Sequence, residues 1–308
     1  MTAKKRVAVL MGGWSSEREV SLSSGRECAK ALAEHGYDVR KVDVTRDLDA
    51  LLAALTPRPD VVFNALHGPG GEDGTVQGVL EFLRIPYTHS GVLASAVAMD
   101  KPTAKDVFAR AGLPLAEGKV VSRTDLLRGD LMPAPFVAKP LNEGSSVGVR
   151  IVRCNDNSWI EEARSWPFGE HVLVEKFIPG RELTVAVMGD RALGVCEIRT
   201  NGAFYDYTAK YAPGGSEHVI PAPVCKAAYD AAMDIAVRAH RALGCRGVSR
   251  ADLRYDDTAG EPGKLYLLEV NTQPGMTPTS LVPDMARHVG IDFQSLVVWM
   301  VENAACDS

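Results

Sequence analysis

The chain has no apolar run near the roughly 20 residues that a bilayer-spanning helix needs; its apolar stretches are strand-length. It also has no Lys/Arg block, and its net charge is −5, which argues against nucleic acid and anionic membrane as partners. Cysteine is sparse. Cys28, Cys154, Cys196, Cys225, Cys245 and Cys306 form no CxxC and no Cys/His metal spacing, and are few for a chain this large, so buried thiols in a reducing cytoplasm are expected rather than a disulfide framework. The histidines form no HExxH, and there is neither an HRD-type kinase loop nor a Walker-A pattern; Gly263-Lys264 is followed by Leu265. The opening MTAKKRVAVLMGG pairs basic residues with an apolar run of only about six residues, too short for a signal-peptide core. It is expected to be the first strand.

What is present is an ordinary globular composition, 46% hydrophobic and 24% charged over 308 residues, enough for two or three domains. RVAVLM reads as a strand, EVSLSSGRECAKALAEHG as a helix with a left-handed cap at Gly36, and YDVRKVDV as a second strand. The helix LDALLAAL, the strand DVVFNAL and a helix around GTVQGVLEFLRI continue the alternation, which predicts a parallel sheet with covering helices. MDKPTAKDVFARAGLPLAEG restarts with a helix stopped at Gly112-Leu113-Pro114. PFVAKPLNEGSSVGVRIV then predicts strand, loop and strand in a β-rich middle region, and strands continue from VLVEKFIPGRELTVAVMG to Tyr211. A long helix fits YDAAMDIAVRAHRALG, after which GVSRADLRY and GKLYLLEVN flank the turn DDTAGEP as a hairpin-like pair.

Several stretches carry chemistry. In LMGGWSSEREVSLSSG a strand ends in Gly12-Gly13 before a Ser-rich helix start, as in a nucleotide-phosphate loop, but the third glycine of GxGxxG is missing, which counts against a dinucleotide-dependent dehydrogenase. Glu17, at the turn into the helix, suits an ammonium group, and the glycines leave room for an amino acid. The helix N-terminus near Val20 could also favour a carboxylate through its free N–H groups. Glu269 and Asn271 lie two apart on one strand, as do Arg250 and Asp252 on another, so each pair shares a face. If the strands pair, the patch is either a face of ordinary charge pairs or an oxygen-rich site for a hard cation such as Mg²⁺. AKPLNEGSSVGV is either a plain hairpin loop or a phosphate cover beside Lys139. EKFI could lay an adenine against Phe177 and Ile178. His67 ends a strand before a Gly-rich loop, either as a structural histidine or at a pocket mouth.

Taken together, GGWSSEREVSLSSG, ALHGPGGEDGTVQG, MDK, AKPLNEGSSVGV, EKFIPGRELTV, FYDYTAKY, SRADL and LLEVNTQPGMTPTSL resemble, in order and over nearly the whole chain, the D-alanine–D-alanine ligases of the ATP-grasp superfamily. The resemblance implies α/β and α+β architecture in three domains. These are a Rossmann-like parallel-sheet N-terminal domain (1–98), a central domain (99–184) and a C-terminal domain (185–308), with ATP gripped between the last two. It implies that Lys101 and Lys139 hold ATP phosphates under the 142–148 loop, with Glu143, Ser145 and Ser146. Glu175, Lys176, Phe177, Ile178 and Glu182 would line the adenine and ribose site, and Asp252, Glu269 and Asn271 would hold two Mg²⁺ ions, for which Mn²⁺ could substitute.

The implied reaction is attack of one D-alanine carboxylate on the ATP γ-phosphate, then attack of the second D-alanine amine on the acyl phosphate. Glu17 would bind the first amine, linked to Ser145 and Tyr211, with Val20, Ser21 and His67 at the substrate site. Residues 204–217 would form a mobile lid carrying Lys210 and Tyr211; these two favour the dipeptide product over D-alanyl-D-lactate. Arg250 and the N–H of Gly275 would stabilise the oxyanion, and Ser280 and Leu281 would receive the second carboxylate. Relatives suggest a homodimer. Gln273, where many relatives have a small residue, and His89, where Gly is common, depart from the pattern; neither is expected to touch the residues assigned to chemistry, though Gln273 neighbours the metal and oxyanion region.

Overall fold

The computed structural model describes residues 4–128, 131–144, 146–154, 158–200 and 215–307. Strand β1 (Arg6–Gly12) is buried from Val7 onward, as the centre of a parallel sheet requires. β2 (Asp38–Val44) and β3 (Val61–Asn64) flank it in parallel, in the order β2-β1-β3. The crossovers are α1 (Arg18–His35) and α2 (Leu48–Ala54), and α3 (Thr75–Phe82) follows. Gly36 takes φ 104 in the left-handed region, and the N–H groups of Gly36 and Tyr37 reach the carbonyls of Ala33 and Leu32. The parallel α/β unit and its cap are as expected.

Around Met99 two helices form rather than one: α4 (Val92–Met99) and α5 (Lys101–Arg110). Asp100 between them is extended, and its carboxylate accepts the Thr103 N–H at 2.9 Å, which starts the second helix. The first of the two is almost wholly apolar and lacks a capping side chain, so the sequence offered no start signal for it.

A second sheet is antiparallel, in the order β4-β7-β5-β6, from β4 (Gly118–Ser122), β5 (Phe136–Lys139), β6 (Arg150–Val152) and β7 (His171–Lys176). Two short helices, α6 (Arg123–Arg128) and α7 (Ser158–Arg164), cover it, with Leu126, Phe136, Trp159 and Trp166 in its core.

The third sheet is a five-stranded antiparallel one in the order β10-β9-β8-β11-β12. Its strands are β8 (Arg181–Met188), β9 (Arg191–Thr200), β10 (Ser216–Val219), β11 (Val248–Asp256) and β12 (Lys264–Asn271). Helix α8 (Lys226–Ala242) lays Ala232, Ala236 and Ala239 on it, small side chains that let helix and sheet approach closely. Position 184 thus falls inside β8, and Ala104 and Phe108 of α5 also sit in this sheet's core. The last helices, α9 (Leu281–His288) and α10 (Phe293–Glu302), place Val282, Met285, Leu296 and Met300 in one cluster with Val9, Leu32 and Phe63. The first sheet and the five-stranded sheet therefore share a core, which fixes how their edges face each other.

Candidate active site

β11 and β12 pair with Arg250 opposite Asn271 and Asp252 opposite Glu269, and the register shifts just past Asp252. The two-residue period puts all four side chains on one face, as expected. Arg250 donates from Nε and Nη2 to the two Asp252 oxygens at 2.8 and 2.7 Å, and Thr184 Oγ1 on β8 donates to Asp252 Oδ1 at 2.6 Å. These donors hold the carboxylate in one orientation.

Two cavities meet at this patch. Glu269 borders both, as do Lys101 and Glu143. The larger, about 630 Å³, lies between the first sheet and the five-stranded one. From the first come Glu17, Val20, His67 and Glu72; from the second come Arg250, Asn271, Gly275, Ser280 and Leu281. Glu17 stands at the N-cap of α1 and is buried, with Gly68 and Gly144 close to its carboxylate. Ser280 is the N-cap of α9, its Oγ accepting from the Thr277 N–H at 3.1 Å.

His67 is buried, with Nδ1 2.9 Å from Glu72 Oε1 and Nε2 3.5 Å from Ser24 Oγ. Burial alone would lower the imidazole's pKa, but the hydrogen bond and charge of Glu72, helped by the charge of Glu17 and the backbone of Gln273, outweigh it and hold His67 above its ordinary value. Glu72 escaped the sequence reading because nothing periodic links two residues of one irregular loop.

Two expectations change here. Ser21 does not border the cavity: it is fully buried, its Oγ donating to the Ala65 carbonyl at 2.7 Å and accepting the Gly12 N–H at 2.9 Å, so it ties β1 to β3. Gly12 and Gly13 do not border the cavity either. A Cβ on Gly12, at φ 87, would strike the carboxylate of Asp43 and the guanidinium of Arg18, which pair at 2.8 and 2.7 Å.

The smaller cavity, about 110 Å³, lies between the four-stranded and five-stranded sheets. Lys139, Ser146, Glu175, Lys176, Phe177, Ile178, Glu182 and Asp252 border it. Glu175 pairs with both Lys139 and Lys105; burial would raise its pKa, but the two lysine charges prevail and hold the carboxylate below the usual range. Lys101 Nζ donates to the Glu143 carbonyl. Arg254, two positions beyond Asp252, donates to the carbonyls of Ile178 and Gly180 at 3.2 and 2.7 Å. Lys105 was legible in principle, since it follows Lys101 by four on the same helical face. Ser145, Lys210 and Tyr211 lie outside the described residues.

Gln273 contradicts the expectation that it stays clear of the chemical residues. Its N–H donates to Asn271 Oδ1 at 2.8 Å, and its side chain reaches back to Asn64 and the Leu66 carbonyl. Coiling of the chain after β12 brings its backbone under the amide two positions earlier. His89 stays apart, packed edge-on to Phe63.

Residues 49–90 match the family model for the D-ala D-ala ligase N-terminus, and residues 107–302 match that for the D-ala D-ala ligase C-terminus. The chain belongs to the D-alanine–D-alanine ligase family. Among relatives bearing that name, the one from Paramagnetospirillum magneticum is 64% identical, the match covering 98% of this chain and 99% of that one. The one from Acidiphilium cryptum is 62% identical, again over 98% and 99%. The crystal structure of the D-alanine–D-alanine ligase from Bacillus anthracis complexed with ATP superposes with a TM-score of 0.80 at 31% identity, over 98% of this chain and 97% of that chain. A D-Ala:D-Ser ligase from Enterococcus faecalis does so with a TM-score of 0.80 at 29% identity, over 97% and 99%. The three sheets described above are thus the ATP-grasp architecture of the D-alanine–D-alanine ligase family.

Proposed function

We propose that the protein is a D-alanine–D-alanine ligase, which spends ATP to join two D-alanines through a D-alanyl phosphate and yields D-Ala-D-Ala, ADP and phosphate for peptidoglycan precursor synthesis. The observation that carries this reading is the meeting of two cavities at Glu269, Lys101 and Glu143. One cavity is lined by lysines and an apolar strand end, and the other opens beside Glu17 and Arg250. A carboxylate in the second can thereby face a phosphate held in the first.

The chemistry sets demands that these residues meet. Two anions must approach, so Lys101 and Lys139 neutralise phosphate charge at the nucleotide end. Glu175, Lys176, Phe177, Ile178 and Glu182 seat adenine and ribose, and Glu143 and Ser146 belong to the loop over the phosphates. Glu17 accepts the ammonium of the first D-alanine, with Val20 and His67 beside it. Arg250 and the Gly275 N–H receive the oxyanion formed when the second amine attacks, and Ser280 and Leu281 hold the second carboxylate. Ser145, Lys210 and Tyr211 are assigned here by resemblance only.

Asp252, Glu269 and Asn271 offer two carboxylates and one amide oxygen on the shared wall, an all-oxygen set suited to Mg²⁺. Bound there, Mg²⁺ supplies charge neutralisation at the transferring phosphoryl group. We further propose that the enzyme acts in the cytoplasm and as a homodimer; no described helix is long and apolar enough to cross a membrane. Phe82 and Leu93, 90% and 73% exposed on α3 and α4, are the apolar side chains to substitute when sedimentation is used to test the dimer.

The function is tested by phosphate release from Mg²⁺-ATP with D-alanine, D-lactate, D-serine or no acceptor. D-alanine-dependent release with D-Ala-D-Ala as product is expected. Release indifferent to D-alanine sinks the reading, and a preference for D-lactate at neutral pH would make the product a depsipeptide.

A further inference from the structure

Glu175 offers one carboxylate oxygen to each of two lysines: Oε1 accepts from Lys105 Nζ, and Oε2 pairs with Lys139 Nζ. All three side chains are nearly enclosed, 6% exposed for Glu175, 16% for Lys105 and 11% for Lys139. The two lysines differ in what else they can reach. Lys139 borders the smaller cavity, where the nucleotide would lie. Lys105 borders neither cavity, and its ammonium is anchored by a second bond, to the Ala116 carbonyl at 2.8 Å. One cation is therefore fixed behind the carboxylate while the other stands before it.

That asymmetry matters when a triphosphate arrives. A buried carboxylate stripped of its last cation is strongly disfavoured. Were Lys139 the sole partner of Glu175, turning it toward phosphate would leave such a charge behind. With Lys105 in place, the exchange of Glu175 for phosphate leaves Glu175 compensated.

We infer that Lys105 is the resident counter-cation of Glu175, a positioning residue that frees Lys139 to meet the phosphates of ATP. The inference rests on the reading of the smaller cavity as the ATP site. It makes Lys105 matter more for the phosphate end of the ligand than for the nucleoside end that Glu175 lines, although Lys105 itself borders neither cavity.

The test is calorimetric titration of the whole protein with ATP and separately with adenosine, in Mg²⁺ buffer. Wild type is compared with Lys105→Gln, which removes the charge and keeps a donor for Ala116, and with Lys105→Arg, Glu175→Gln and the Lys105→Gln/Glu175→Gln pair. Losing one charge-assisted contact, Lys105→Gln should lower ATP affinity relative to adenosine by about tenfold, and Lys105→Arg should restore the ratio. The pair should match Glu175→Gln alone, because no carboxylate then competes for Lys139. That comparison strands no carboxylate, the buried charge on which the inference turns, so it can be read even if Lys105→Gln fails to fold. An unchanged ATP-to-adenosine ratio in Lys105→Gln overturns the inference, as does a ratio in the pair well below that of Glu175→Gln. If wild type bound adenosine and ATP alike, the phosphate-site reading itself would fall, and the inference with it.

Discussion

The Asn64 side-chain amide donates to Gln273 Oε1 at 2.8 Å, across 209 positions of sequence, and so joins the end of β3 to the loop after β12. Gln273 Nε2 completes the clasp on the Leu66 carbonyl, next to His67, while its own N–H fixes Asn271. Both Asn64 and Gln273 are buried. One side chain thus sets the substrate wall of the first sheet against the carboxylate strand of the last.

Gln273→Ala removes both partners and leaves buried groups unsatisfied, at a cost of about 1–3 kcal/mol. Urea denaturation should show that loss. The KM for D-alanine should rise while the KM for ATP stays near wild type, since the clasp does not reach the nucleotide cavity; an equal rise in both would mean that the clasp serves stability alone.

Glu269 stands where the two cavities meet, directly opposite Asp252. Glu269→Ala should cut turnover at least about a hundredfold, the scale of losing an electrostatic group from a reacting centre. The melting temperature should move only a few degrees, because the residue is not part of the apolar core. Activity near wild type would remove Glu269 from the proposed metal set.

For Glu17→Gln the expected loss is selective. An ammonium that loses a charge-assisted bond should bind roughly tenfold or more weakly, so the KM for the first D-alanine should rise while ATP binding is kept. Equal weakening of both ligands would refute the assignment of Glu17 to the amine.

The His67–Glu72 pair predicts a pH effect of definite sign. His67 has its pKa raised in the fold, so the stability this contributes is complete below the ordinary imidazole value near 6.5 and fades as pH rises through the higher folded value. Following the imidazole by NMR titration, Glu72→Gln should lower the His67 pKa and flatten this part of the stability curve. A titration unmoved by the substitution would show that Glu72 is not what holds the proton.

Much of this was readable before any coordinates, and the reason is local periodicity. Alternation of period two put Arg250 with Asp252, and Glu269 with Asn271, on shared faces, and the DDTAGEP turn brought the strands together. Gly36 announced its own cap, and the βαβ spacing announced the parallel sheet. Asp252, Glu269 and Lys139 were therefore visible as site candidates from their strands alone.

What tertiary structure decided lies between elements. Nothing within β3 or β12 says that Asn64 meets Gln273; that contact follows from the shared core in which Leu32 and Phe63 pack with Met285 and Leu296. Ser21 was placed at the substrate site by resemblance, yet the close approach of α1 to β1 and β3 consumed its hydroxyl. Lys105 and Lys139 look alike in sequence, and only their placement around Glu175 separates an anchored cation from one that faces the cavity. Backbone geometry dictates which way a side chain points from its own strand or helix. Which group it meets there depends on how the large apolar residues of distant segments fit together, and no short stretch of sequence carries that information.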